Sequence, residues 1–236
     1  MTTLGIVGGL GPESTIDYYR RILEEWKRDD PSSSPSIVID SLDVDCGLRL
    51  VEHDRPALIE YLSASLRRLA AAGADFAAMA ANTPHVVFDD LVSRSPIQLV
   101  SIVESCAKEA QRRDLRRLGL LGTRFTMEGS FYPTVFARHG IAVVSPNDEE
   151  RAWIHDRYVG QLLKGEFRDE TRAGVTSVVR RLREEENVDG VILGGTELTL
   201  LLSTPLIEGI PALDTTALHV DAIVKCLRAG LRGTFK

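Results

Sequence analysis

The 236-residue sequence predicts an α/β fold of two pseudosymmetric lobes, each a parallel sheet flanked by helices, facing one another across a cleft. Three observations lead there. Short β-rich runs alternate with longer amphipathic ones, the pattern of parallel strands joined by covering helices. "LGIVGG", beginning at Leu4, returns as "LGLLGT", beginning at Leu118. In that same register, 114 residues apart, Tyr18 matches Tyr132, Asp75 matches Asp189 and Ala81 matches Gly195. Several landmarks at one spacing mark a duplicated half-unit.

The elements follow in order. Leu4–Gly8 is an apolar strand ending in glycines, and Pro12 opens a helix to Arg28, because proline suits a first helical turn. "PSSSPS" at 31–36 reads as an exposed turn before the strand Ile37–Leu42. The helix Arg55–Ala72 stops at Gly73, the residue type that closes helices most readily. Strands Asp75–Ala80 and Gln98–Ile102 and the helix Val103–Arg113 complete the first half. The second half reads as strand Arg117–Leu121, helix Glu128–Arg138, strand Ile141–Ser145, and helices Asp148–Leu163 and Arg168–Glu186. Strands Gly190–Leu193 and Pro211–Leu213 then lead to a last helix, Thr215–Arg228. The lobes are accordingly expected at 1–98 with 213–236, and at 99–212.

Bulk properties narrow the partners. Hydrophobic residues make up 44% of the chain and charged ones 26%, an ordinary globular composition. A formal net charge of -6 argues against nucleic acid or an acidic membrane as partner, since both attract basic surfaces. The arginine pairs at 112–113, 116–117 and 180–181 have acids near them and read as solvated helix faces. There is no run of eighteen apolar residues, and "MTTLGIVGGLGPE" lacks the parts of a secretory leader, so a soluble cytoplasmic protein is expected. Cys46, Cys106 and Cys226 lie far apart and the five histidines form no ligand motif, so no metal is expected.

In open α/β sheets the ligand lies beyond the carboxyl ends of the strands. Here those ends are "GGLGPES", "AANTPH", "LGTRFT" and "GGTEL". The first approaches a dinucleotide fingerprint through Gly9 and Gly11 but has Ser14 at the third glycine, and the second half holds no copy of it. The others display Asn82, Thr83, Thr123, Thr126, Thr196 and Glu197, whose hydroxyls and neighbouring N–H groups suit a carboxylate. Helix capping is the competing role for each threonine taken singly. Where a reactive side chain would be displayed stand Ala81 and Gly195. His85 and Glu197 are the nearby titratable candidates. The alternative for His85 is a ring satisfied by backbone, and for Glu197 an acid at a helix start. Tyr18, Tyr132 and His219 read as packing residues.

Taken together, "LGIVGGLGPESTIDYYRRI", "ANTPHVVFDDL", "LGLLGTRFTMEGSFYPTVF", "DGVILGGTELTLLL" and "PALDTTALH" resemble the aspartate/glutamate racemase superfamily, its aspartate racemase branch in particular. The resemblance spans nearly the whole chain. It implies two pseudosymmetric lobes, a small amino-acid or dicarboxylate substrate, no pyridoxal phosphate or other cofactor, no metal, and a homodimer. It also implies that Asn82, Thr83, Thr123 and Thr196, with Gly9 and Thr126 beside them, hold the substrate, that Lys164 recognises a side-chain carboxylate, and that Arg49 assists. Racemisation needs a base and an acid on opposite faces of Cα, and the family uses two cysteines for this. They stand immediately before the Asn of "NT" and the Thr of "TE", which in this sequence are Ala81 and Gly195. The two-thiol mechanism is therefore closed to this chain. The expectation is a cofactor-independent, isomerase-like protein working in the interlobe cleft, with Glu197 and His85 as candidate catalytic groups. A lyase with a different base, a non-catalytic amino-acid-binding homologue, and a chain with its thiols engineered away remain open alternatives.

Overall fold

A computed structural model describes residues 2–230. Residues 231–236 of the expected N-terminal lobe lie outside the described residues. The chain divides into two compact units, one running to Ile102 and resuming at His219, the other Val103–Leu218.

The first unit begins with β1 (Thr3–Gly8) and α1 (Pro12–Asp29), then β2 (Ser36–Ser41), α2 (Val44–His53) and α3 (Arg55–Ala71). β3 (Phe76–Met79) runs into a 3-10 turn at Thr83–Val87, followed by α4 (Phe88–Arg94) and β4 (Gln98–Val100). The four strands are all parallel, in the order β2-β1-β3-β4. Five of the six residues of β1 and all four of β3 are buried, as central parallel strands require when helices cover both faces. Alternation along β1 sends Leu4 and Ile6 to one face and Val7 to the other. Leu4 and Ile6 meet Tyr18 and Ile22 of α1 and Val220, Ile223 and Val224, whereas Val7 packs with Leu58, Leu62 and Leu66 of α3. Each such side chain contributes about 1.5–3 kcal/mol on full burial.

The second unit holds α5 (Ile102–Arg112), of which all but the first residue belong to it, β5 (Arg117–Gly122), α6 (Arg124–Glu128), α7 (Phe131–Arg138) and β6 (Ala142–Val144). Next come α8 (Asp148–Gly160), α9 (Asp169–Glu186), β7 (Gly190–Gly194), α10 (Thr196–Leu201), β8 (Leu206–Ile207) and β9 (Ile210–Asp214). A last helix, α11 (Thr215–Ala229), starts in this unit and ends in the first. The sheet order is β6-β5-β7-β9-β8, parallel except for the hairpin of β8 with β9. Glu208 and Gly209 turn that hairpin with φ of 49° and 78°, the left-handed pair that a two-residue turn needs.

The duplication extends to strand register. β1 pairs with β3 through Leu4 opposite Phe76, Gly5 opposite Ala77 and Val7 opposite Met79. β5 pairs with β7 through Leu118 opposite Gly190, Gly119 opposite Val191 and Leu121 opposite Leu193, each partner 114 residues on. The fastening at the strand starts is repeated too. Thr3 N–H donates to Asp75 Oδ2 at 2.7 Å, and Arg117 N–H donates to Asp189 Oδ1 at 3.1 Å.

Several elements depart from the sequence expectation. The predicted helix Glu128–Arg138 begins only at Phe131, because Gly129 takes an extended ψ of 144° and ends a separate short helix, α6, at Glu128. The predicted Asp148–Leu163 stops as an α-helix at Gly160 and continues as a 3-10 turn, Leu162–Lys164. Helices α2 and α4 were not anticipated. Asp43 caps α2 by accepting from Cys46 N–H at 2.8 Å.

Candidate functional site

The four strand ends named by the sequence close β1, β3, β5 and β7. In the first unit, Gly9 follows β1 with a φ of 77°, the left-handed region that favours glycine. A Cβ there would run into the Leu42 backbone. The Gly9 N–H donates to Thr15 Oγ1 at 2.9 Å, so the glycine that read as part of a substrate loop has its amide committed to α1.

Beyond β3, Ala81 is 5% exposed and Asn82 is buried, while Thr83 is half-buried at the start of the 3-10 turn. His85 lies fully within the fold. Its Nδ1 is 3.1 Å from the Ala81 carbonyl oxygen, and its Nε2 accepts the Ile102 N–H at 3.3 Å. A carbonyl only accepts, so the proton sits on Nδ1 and the ring is neutral. Burial, together with nearby His219, pushes its pKa down to about 3. Phe88 stacks on the ring with centroids 4.9 Å apart. Both nitrogens are thus engaged by backbone, as in the alternative given for His85 in the sequence, and the imidazole ties the loop that carries Ala81 to Ile102. His219 is similar. Its Nε2 donates to the Val100 carbonyl at 3.0 Å, Tyr18 Oη donates to its Nδ1 at 2.9 Å, and burial lowers its pKa to about 4.

In the second unit, Thr123 caps α6 by accepting from Thr126 N–H at 3.3 Å, and the two hydroxyls are themselves 3.3 Å apart. Beyond β7, Gly195 leads into α10, whose Thr196, Glu197, Leu198, Thr199 and Leu201 are all buried. Tyr158 of α8 reaches this strand end and donates its hydroxyl to Glu197 Oε2. Thr196 Oγ1 donates to the same oxygen at 3.1 Å, and Glu197 N–H donates to Tyr158 Oη at 3.4 Å. Burial first, and the adjoining Glu197 carboxylate second, hold the phenol well above its usual pKa. The ring fills the space that a side chain at 195 would take: a Cβ built on Gly195 would lie 2.7 Å from Tyr158 Oη and 2.9 Å from Cζ.

Sequence reasoning singled out Glu197 but not Tyr158, which repeats Ile154 four residues on and has the spacing of a core residue. Nothing in its local sequence points to Gly195. Lys164 and Arg49 are both exposed, on the 3-10 turn after α8 and on α2 respectively. Cys106 and Cys226 lie buried on α5 and α11, and burial pushes both thiols up. Among the described residues, no group of three or more His, Cys, Asp or Glu side chains is placed to hold a metal ion. No helix among them is long and apolar enough to cross a membrane.

Duplicated parallel sheets with small and hydroxyl-bearing residues at their carboxyl ends define a repeated α/β protein with its polar groups gathered at the strand ends. The chain belongs to the Asp/Glu/Hydantoin racemase family, whose model matches residues 7–223. It is 25% identical to the broad specificity amino-acid racemase RacX of Bacillus subtilis (strain 168) over 223 residues, covering 91% of this chain and 93% of that one. Among solved structures, a candidate Asp/Glu racemase from Yersinia pestis is similar at 32% identity with a TM-score of 0.85, over 97% of this chain and 100% of that one. PH1733, an aspartate racemase homologue from Pyrococcus horikoshii OT3, is similar at 31% identity with a TM-score of 0.78, with the same coverage of 97% and 100%.

Proposed function

We propose that this protein binds a small amino acid or dicarboxylate at the carboxyl ends of its parallel strands and labilises the substrate's Cα proton without an organic cofactor. The observation that carries this reading is the duplicated strand end. Ala81-Asn82-Thr83 after β3 and Gly195-Thr196-Glu197 after β7 occupy the same place in two copies of one sheet. Each copy puts one side-chain-poor residue beside groups able to hydrogen-bond a carboxylate, and beside Gly195 the space is taken by the Tyr158 ring. Membership of a racemase family, and likeness to a broad specificity amino-acid racemase, support an amino acid as that ligand. Asn82, Thr83, Thr123, Thr126 and Thr196 are the groups assigned to the substrate carboxylate and amine. Lys164, and more distantly Arg49, are assigned to a second carboxylate where the substrate carries one.

The chemistry differs from that of a two-thiol racemase, because Ala81 and Gly195 have no proton to give or take. Glu197 is the carboxylate assigned to it, and His85, fastened at both nitrogens, is assigned to holding the Ala81 loop.

Incubating the protein with L- and D-aspartate and glutamate in deuterium oxide, without added cofactor, tests this directly. Growth of the Cα-deuterated species, followed by proton NMR and mass spectrometry, is the expected result. Thermal stabilisation by these ligands with no exchange would leave a binding protein and remove the catalytic reading. Neither exchange nor stabilisation would remove both.

A further inference from the structure

A strand end that displays glycine still presents a reactive atom when a neighbouring side chain fills the gap. At Gly195 that neighbour is Tyr158. Cε2 of its ring is the atom nearest to where the Cβ of residue 195 would be, and its hydroxyl lies 2.7 Å from that point, so the hydroxyl-bearing edge of the phenol occupies the place of a short side chain on this residue. The hydroxyl is not simply inserted into an apolar core. It donates to Glu197 Oε2, receives the Glu197 N–H at 3.4 Å, and shares that carboxylate with Thr196 Oγ1 at 3.1 Å. Tyr158 and Glu197 are 4% and 2% exposed, so this coupled acid and carboxylate lies away from bulk water, where proton transfer between them is least diluted by solvent.

We propose that Tyr158 is the proton-transferring group of this strand end, acting through its hydroxyl in place of a side chain at 195, with Glu197 as the carboxylate that accepts its proton. This rests on the amino-acid chemistry proposed above. In the forward step the Cα–H bond breaks and its proton binds to Tyr158 Oη, while the proton already on Oη moves to Glu197 Oε2. The electron pair of the C–H bond stays on Cα. On return, Glu197 gives its proton back to Oη as Oη reprotonates Cα, so atoms and charge balance without an added reagent. The phenol carries one proton before and after each step. That suits a group whose burial and carboxylate neighbour hold it protonated, because no free phenolate has to accumulate. Ala81, at the equivalent place in the other copy, supplies no second such group through its own side chain.

The test compares wild type with Tyr158→Phe and Glu197→Gln, using whichever of L- or D-aspartate or glutamate the wild type exchanges fastest. Exchange is expected to fall at least about 100-fold in both variants, the scale of a lost general acid–base group, while thermal stabilisation by the same amino acid is kept. Incorporating 3-fluorotyrosine at 158 makes the phenol more acidic with little change of shape, and is expected to shift the pH profile of exchange. A role confined to packing would leave that profile where it is. Exchange within about threefold of wild type in folded Tyr158→Phe overturns the role of Tyr158 and leaves the proposed function standing, whereas the same result in folded Glu197→Gln overturns the relay and also the assignment of Glu197 made above. Absence of exchange in the wild type itself removes the proposed chemistry, and this inference with it.

Discussion

The imidazole of His85 lies 3.1 Å from the carbonyl oxygen of Ala81, four residues earlier, and takes the N–H of Ile102 on its other nitrogen at 3.3 Å. One ring therefore joins the loop after β3 to the first residue of α5 in a single tautomer. Protonation would set a second N–H against the Ile102 N–H.

A pH dependence of stability follows from this. The folded pKa of His85 is about 3 and that of His219 about 4, both below the ordinary 6.5. Below 6.5 the unfolded chain binds protons that the folded chain refuses. The stability these neutral rings contribute is full above pH 6.5 and is lost as pH falls from 6.5 toward 4 and then 3. Each ring adds up to about 1.4 kcal/mol per pH unit to the slope in that window. Between pH 6.5 and 5 most carboxylates stay ionised, so urea midpoints measured there should fall steeply in wild type and less steeply in His85→Asn. Parallel slopes would show that His85 is not the group responsible.

The repeated aspartates give a prediction about the fold alone. Asp75 accepts the Thr3 N–H at 2.7 Å, whereas Asp189 accepts two amides, Arg116 at 2.7 Å and Arg117 at 3.1 Å. Each carboxylate thereby anchors the first residues of the strand beside its own. Hydrogen bonds to ionised acceptors are stronger than neutral ones, although exposure weakens them here. Asp75→Ala is expected to cost about 1 kcal/mol and Asp189→Ala about 2, with Asn at either position recovering part of the loss. Chemical denaturation of the four variants measures this ordering, and equal losses at the two sites would contradict the count of amides.

What could be read in the sequence, and what could not, divides along physical lines. The duplication was legible because the glycines of β1 and β5 and the paired Asp75 and Asp189 keep one spacing, and strand register is tied to those positions. Helix α2 escaped notice because Gly47 interrupts a ten-residue pattern that depends on its Asp43 cap. Helix α4 escaped because "TPHVVF" winds first as a 3-10 turn, whose period is not that of an α-helix. At the site, Asn82, Thr196 and Glu197 were visible as polar residues closing apolar strands. Tyr158 was not, since its place beside Gly195 depends on how α8 sets its ring against the residues after β7, and a glycine carries no side chain from which a partner could be inferred.

That same packing constrains any attempt to place a thiol at residue 195. In Gly195→Cys the new Cβ would lie 2.7 Å from Tyr158 Oη and 2.9 Å from Cζ, against a buried ring held by Glu197 rather than a flexible side-chain tip. Relief requires moving α8 or breaking the Tyr158–Glu197 hydrogen bond, and overpacking of this kind costs about 1–3 kcal/mol. Shortening the neighbour removes the clash. Gly195→Cys combined with Tyr158→Ala should therefore be more stable than the sum of the two single changes predicts, with a coupling of about 1–3 kcal/mol, as expected for side chains in direct contact. Thermal and urea unfolding of the wild type, both single variants and the double variant close the cycle. Additive losses would mean that α8 yields to a side chain at 195 without cost. In that case Tyr158 would not be what keeps position 195 a glycine.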